Sequence, residues 1–153
     1  MRYTFPDYYR EFHCTADRCE DTCCAGWQIV IDPAALKNYR EIVRGGKNRV
    51  TGKKAAPDFR KRMGKSINWR AGVFRQNDEK RCAFLGDKNL CDLYAALGEK
   101  SLCRTCSRYP RHIEEFENVR EVTLSVSCPE AARLLMNKQT PASFYAVERE
   151  GEE

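Results

Sequence analysis

The residues in this chain most able to do chemistry are its cysteines, nine among 153 residues. Cys14, Cys19, Cys23 and Cys24 lie within one short stretch. Cys82, Cys91, Cys103 and Cys106 form a second, and Cys128 stands alone. Core cysteines scattered by packing would not cluster in this way. The opening residues carry no apolar stretch of the kind a secretory signal needs, so the sequence points to a reducing cytosol. Thiols there serve as metal ligands or redox groups more often than as disulfides. All nine are therefore candidate metal ligands, for zinc or for an iron–sulfur cluster, since both accept thiolates.

The spacings say more. Cys103-Arg-Thr-Cys106 is a plain C-x-x-C, strengthened by Cys82 and Cys91 upstream. Short loops of this kind bring sulfurs together and aim backbone N–H groups at them, which offsets thiolate charge. The first group reads C-x4-C-x3-C-C, which matches neither a zinc ribbon nor the triad of radical enzymes that use S-adenosylmethionine. Side chains of adjacent cysteines diverge, so one of Cys23 and Cys24 is expected to serve another site or to pack. Cys128-Pro129 is like the cluster-ligating Cys-Pro of ferredoxins. The nine sulfurs would then supply eight ligands and leave one over. Because neither group has a four-ligand spacing of its own, the two are expected to converge. His13 and His112 are possible further ligands, with a surface position the commoner outcome for each.

Charge is segregated too. Residues 37–81 hold 15 Lys plus Arg against 4 Asp plus Glu, a local charge of +11; the remaining 12 and 18 give −6, for the net +5 of the chain. Tyr39, Phe59, Trp69 and Phe74 interleave with the cations. A solvated helical face is the plain reading of this insert, and an acidic protein surface the partner it would fit. No groove-reading or RNA-binding motif accompanies it, so nucleic acid is not expected. No apolar run approaches a membrane span, so no membrane partner is expected either. A G-x-G-x-x-G loop is absent, and Gly64-Lys65-Ser66 lacks the upstream glycine of a phosphate-binding loop.

The elements that must position these groups can be read coarsely. Trp27–Ile31 is expected to be extended. Asp32-Pro33 should open a helix, with Asp32 as N-cap, Leu36, Tyr39 and Val43 on one face, and Gly45-Gly46 at its end. Residues 46–56 read as a mobile loop, and Pro57 as the start of a helix to about Met63. Alternation from Ile67 to Val73 suggests a strand. A short helix is expected over Asp92–Leu97, closed by Gly98. Val122, Leu124 and Val126 suggest another strand. Ser127-Cys-Pro-Glu130 reads as a capping box before a helix to about Asn137. The expected fold is α+β: small, irregular, cysteine-rich, organised around one or more metal or Fe–S centres, with short helices and few strands. Residues 1–137 would form the cysteine-cluster domain, and residues 138–153 a polar, flexible tail.

Several strings occur together in a telling order. They are Phe12-His-Cys-Thr-Ala-Asp-Arg-Cys-Glu-Asp-Thr-Cys-Cys-Ala-Gly-Trp-Gln-Ile, then Cys82-Ala-Phe-Leu and Leu90-Cys-Asp-Leu-Tyr. Gly98-Glu-Lys-Ser-Leu-Cys-Arg-Thr-Cys-Ser-Arg-Tyr-Pro-Arg-His follows, and Leu124-Ser-Val-Ser-Cys-Pro-Glu-Ala-Ala-Arg-Leu-Leu ends the series. Together they resemble the flagellin lysine N-methylases, within a broader group named for a CxxCxxCC pattern. The first motif here is looser than that pattern. The resemblance implies methyl transfer from S-adenosylmethionine to flagellin lysines, in the cytoplasm, with a bound iron–sulfur cluster, 4Fe–4S first among the types. It implies no particular catalytic base or donor-binding residue. Glu20, Asp21 and Asp32 are possible carboxylates for a lysine ammonium, with surface or capping roles the plainer expectation. Family members continue past the Ser-Cys-Pro-Glu string, so the chain is expected to be the N-terminal, cluster-bearing part of such an enzyme or a shortened relative. The alternative is a non-catalytic zinc or Fe–S module that docks an acidic partner.

Overall fold

The computed structural model describes residues 1–148. In chain order its elements are β1 (Arg2–Pro6), α1 (Pro33–Val43), α2 (Pro57–Ser66), β2 (Ile67–Asn68), β3 (Val73–Phe74), α3 (Asp92–Leu97), α4 (Arg104–Arg108), β4 (Arg111–Phe116), β5 (Val119–Leu124), α5 (Pro129–Met136) and β6 (Phe144–Glu148). Three short 3-10 turns stand at Asp7–Glu11, Ala16–Arg18 and Glu99–Ser101. The α+β class expected from the sequence is therefore observed. The chain divides into two compact units: Met1–Asp21 with the described part of Arg108–Glu153, and Thr22–Ser107.

The first unit is built on a four-stranded mixed sheet in the order β4-β5-β1-β6. β1 pairs parallel with β5 and antiparallel with β6, and β4 and β5 form an antiparallel hairpin. Alternation puts Tyr3, Phe5 and Val122 together on one face, packed with Ile113, Tyr145 and Val147. A second cluster joins Tyr8, Phe12, Leu124, Cys128 and Ala131. The segment from Lys138 onward, expected to fray, contributes β6, paired with β1 from Pro6↔Phe144 to Arg2↔Glu148. Five residues past 148 of that tail lie outside the described residues.

One further expectation changes here. The helix after Cys128 forms, but without a capping box. Cys128 is the N-cap with Pro129 at the first helical position, and no side chain caps it. Ser127 instead shares its hydroxyl with Ser125 and Tyr109, and Glu130 pairs with Arg133. Pro129 disfavours helical geometry at Cys128, which stays extended, so the helix starts one residue later than the box requires and Ser127 stands outside it.

The second unit holds the larger core: Ile29, Ile31, Tyr39, Ile42, Met63, Ile67, Phe74, Phe84, Leu93 and Leu97, with Cys82 and Cys103 inside it. α1 starts as expected, the Asp32 side chain accepting from Ala35 N at 3.1 Å and Pro33 following. Its buried face runs through Asn38, Tyr39 and Ile42, while Leu36 and Val43 are half-buried, so the stripe is turned by about one residue from the expected one. α2 extends to Ser66 and packs Met63 beside α1. The expected strand over residues 67–73 is a tight hairpin, β2–β3. Asn68 accepts from Ala71 N through its side chain and from Gly72 N through its carbonyl, and Gly72 takes φ 67°, which glycine adopts without strain. Around Trp27–Ile31 the chain makes a single bridge, Val30↔Val73, rather than a strand.

Candidate metal centre

The units sort the cysteines. Cys23, Cys24, Cys82, Cys91, Cys103 and Cys106 belong to Thr22–Ser107; Cys14, Cys19 and Cys128 belong to the other unit. All nine are free thiols.

In the six-thiol group the local fold does the gathering. Cys82 N donates to the Cys24 carbonyl at 2.7 Å, which joins the first cysteine stretch to the second across more than fifty residues of sequence. Cys91 is the N-cap of α3, and Leu85 bridges back to it. Cys103 lies wholly buried just before α4, with Cys106 one turn on. Cys24, Cys91 and Cys106 pack on the core that contains Cys82 and Cys103. The convergence expected between the two stretches is thus observed for Cys23 and Cys24: Cys24 feels the charges of Cys82 and Cys91, Cys91 feels that of Cys23, and Cys106 feels that of Cys24.

Backbone amides reach several of these sulfurs. Phe84 N–H serves Cys82, Tyr94 and Leu93 serve Cys91, and Cys106 and Thr105 serve Cys103. Donors two and three residues beyond a cysteine are what a turn around a thiolate supplies. The Cys23–Cys24 hydrogen bond brings the Cys23 thiol down to about 7 and forces Cys24 far up. The Cys106 bond likewise lowers Cys103, while Cys106 is driven strongly up by Cys103 and by burial. Each pair thus gives up its first proton readily and resists losing the second. Burial pushes Cys82 up to about 11 and raises Cys91. Six crowded sulfurs cannot ionise together without a cation to offset their repulsion.

In donor type and amide support the set fits a thiophilic centre. Among the described residues, however, no three His, Cys, Asp or Glu side chains converge as a group that could hold a metal ion. Four of the sulfurs are instead paired through thiol–thiol hydrogen bonds, Cys23 with Cys24 and Cys103 with Cys106. The thiols of this unit that would hold a metal or cluster are Cys24, Cys82, Cys91, Cys103 and Cys106, buried or half-buried about one core, with Cys23 exposed.

In the other unit, Cys14 Sγ accepts from Ala16 N at 3.4 Å. Cys128 is raised chiefly by burial, accepts from the Ala131 and Glu130 amides, and feels Cys19 and Cys14. His13 is exposed, and His112 is exposed and paired with Glu114 at 3.0 Å. Glu20 and Asp21 are exposed, and Asp32 is occupied by capping.

The residues that sequence reasoning missed hold the C-x-x-C loop. Asp32 Oδ1 accepts from Arg104 N at 2.6 Å while its Oδ2 caps α1. Thr105 Oγ1 donates to the Val30 carbonyl at 2.7 Å. The Tyr39 hydroxyl, kept protonated by burial, donates to the Ser101 carbonyl at 2.7 Å. The Asp32-Pro33 helix start was legible, but its second bond to Arg104 depends on a chain segment seventy-two residues away.

Comparison with known proteins agrees with the cysteine strings. The chain is 28% identical over 134 residues, 88% of its length, to the lysine-N-methylases of Salmonella typhimurium and Salmonella choleraesuis. It is 28% identical over the same share to the flagellar biosynthetic protein FliU of Salmonella muenchen. The chain is thus similar to the lysine-N-methylases over most of its own length. It spans about a third of the length of the two lysine-N-methylases (32%) and 76% of FliU. No family model matches the chain, and no solved structure does. Among the described residues no helix is long and apolar enough to cross a membrane.

Proposed function

We propose that this chain is the cysteine-bearing part of a cytoplasmic protein-lysine N-methylase whose substrate is flagellin and whose donor is S-adenosylmethionine. The observation that carries the reading is the match over 88% of the chain to proteins named lysine-N-methylase and FliU. The crowded thiols support a resident iron–sulfur centre, 4Fe–4S before zinc, held by Cys24, Cys82, Cys91, Cys103 and Cys106 in some combination. Such a centre would supply the positive charge that lets those sulfurs ionise together. The protein's own residues would shape the site around it: Asp32, Tyr39 and Thr105 fix the C-x-x-C loop, and amide donors orient the sulfurs.

Methyl transfer requires a neutral lysine amine. Its nitrogen forms a bond to the methyl carbon as the donor's carbon–sulfur bond breaks, and the amine then sheds a proton. The exposed cations of residues 37–81 suit the docking of an acidic surface, which also favours the alternative of a non-catalytic module. Anaerobic incubation with flagellin and S-adenosylmethionine, followed by mass analysis of the lysines, decides between them. The chain is run beside a full-length parent that contains it. Methylated lysine with either protein supports the enzyme reading. Methylation in the full-length protein alone makes this chain a cluster-bearing part. Methylation in neither, with the centre loaded, leaves the docking module.

A further inference from the structure

The insert between the two cysteine stretches contains one feature that neither its charge nor the cysteine pattern explains. Residues 46–56 read as a mobile, Gly- and Lys-rich loop, yet Asn48 in its middle is only 1% exposed. Its main chain closes the loop on itself: Asn48 N donates to the Lys53 carbonyl and Gly52 N to the Asn48 carbonyl, both at 2.8 Å. Its side chain bonds through both amide atoms. Oδ1 accepts from Asn38 Nδ2 at 3.1 Å and from Val50 N at 3.0 Å, and Nδ2 donates to Ser101 Oγ at 2.7 Å. Ser101 Oγ in turn donates to the Leu97 carbonyl at 2.9 Å. Asn38 Oδ1 accepts from Arg49 N at 2.8 Å, closing the network on α1.

All the donors in this chain point one way, from Asn38 through Asn48 and Ser101 to Leu97, so each bond polarises the next. Asn38 and Ser101 are 5% and 3% exposed. A buried amide chain carries a high cost if one member is removed, because its neighbours lose their partners out of reach of water. Surface loops do not need such a device. Ser101 shows what it serves. It stands two residues before Cys103, and its carbonyl takes the Tyr39 hydroxyl at 2.7 Å. The loop leading into Cys103-Arg-Thr-Cys106 is therefore held upstream by Asn48 and Tyr39, and downstream by Asp32 at Arg104.

We propose that Asn48 is a positioning residue for the thiol centre: through Ser101 it sets the C-x-x-C loop in register for ligation, so that the cationic insert is an arm of that centre rather than a free docking loop. This rests on reading Cys103 and Cys106 as ligands. Outer partners that orient metal ligands are typically worth a factor of about 10 to 100 in metal affinity.

The test uses the full chain, metal-free and anaerobic, as wild type, Asn48→Ala, Cys103→Ser, and an Ile42 truncation (to Val or Ala, whichever matches the melting temperature of Asn48→Ala). Ile42 lies in the same core but outside the hydrogen-bonded chain. Cobalt(II) is titrated and followed by its thiolate charge-transfer absorption, and amide hydrogen exchange is read over residues 101–107. The expected result is cobalt affinity about 10 to 100 times weaker in Asn48→Ala than in the matched Ile42 variant, with faster exchange over residues 101–107. Equal affinity in the two, where wild type binds cobalt, overturns the proposal. Wild type whose cobalt binding is absent, or is unchanged by Cys103→Ser, overturns the ligand reading instead. The exchange comparison then decides alone whether Asn48 sets the loop, and equal exchange rejects it.

Discussion

Asp32 joins local and long-range structure in one carboxylate. One oxygen caps α1 at Ala35 N, and the other takes Arg104 N at the mouth of the thiol loop. Burial works to raise its pKa, but the two amide bonds outweigh it, and the carboxyl stays below its ordinary 3.8. A carboxyl with a lowered folded pKa contributes stability above its unfolded value. That contribution is lost as pH falls through the folded one. Asp32→Ala should cost about 1–2 kcal/mol at neutral pH, the scale of a lost N-cap, and less as pH drops below about 4. Urea unfolding of both proteins at neutral and acid pH checks this. A difference that persists undiminished at the lowest pH would mean that the carboxylate charge is not what stabilises. The cysteines carry a second expectation at this scale. If thiol ligation supplies folding free energy, on the order of 10 kcal/mol in small zinc domains, a chelator should melt the loaded chain. Cys103→Ser should do the same without chelator. Thermal melts unmoved by either treatment would show that the thiols are not structural ligands.

At the scale of elements, the β4–β5 hairpin contains a conflict open to repair. Glu114 and Glu121 lie directly opposite one another in register, both exposed. Like charges across a strand pair are destabilising, and opposite charges contribute roughly 0.2–1 kcal/mol. Glu121→Lys should raise the melting temperature at low salt and lose most of that gain at high salt, because exposed charges are screened. A gain independent of salt would point to a cause other than the Glu114 pairing. The same hairpin shows how side-chain stacking helps where the sheet is thin. The Arg120 guanidinium lies over the Tyr3 ring, its Nη1 donates to the Tyr3 hydroxyl at 2.7 Å, and its Nε pairs with Glu115. α1 and α2 do different work. Their inner faces fill the core around Tyr39, Ile42 and Met63, and their outer faces present Lys37, Arg40, Lys61 and Lys65 to solvent.

Across the whole molecule, much of the secondary structure could be read in advance because it is locally dictated. Asp32-Pro33 starts a helix wherever it stands, and Gly98 with φ 85° ends one. Asp92–Leu97 forms as the apolar spacing predicts. The resemblance to lysine methylases was likewise legible, because it is carried by unusual strings in order, and the 28% matches agree with it. The misreadings share a cause. Alternation from Ile67 to Val73 looks like one strand, but Asn68 and Gly72 turn it back, so a single apolar pattern serves two short strands. The polar run after Lys138 looks free, but β1 has an open edge and Phe144–Glu148 fills it. Nothing local in a strand says whether a partner edge is available.

The division of labour between chain and fold is clearest in the thiols and in Asn48. Residue types and spacing alone pointed to a thiophilic donor set and gave a basic insert and the Asp32-capped helix. These follow from side-chain chemistry and from dihedral preferences acting over a few residues. Which sulfurs become neighbours was decided by tertiary structure, since Cys24 meets Cys82 only through a backbone bond that closes a long stretch of chain. Asn48 looked like an ordinary loop residue because hydrogen bonding does not show in a one-dimensional pattern. Its burial arises only when the insert folds over α1 and brings Asn38 and Ser101 to its side-chain amide.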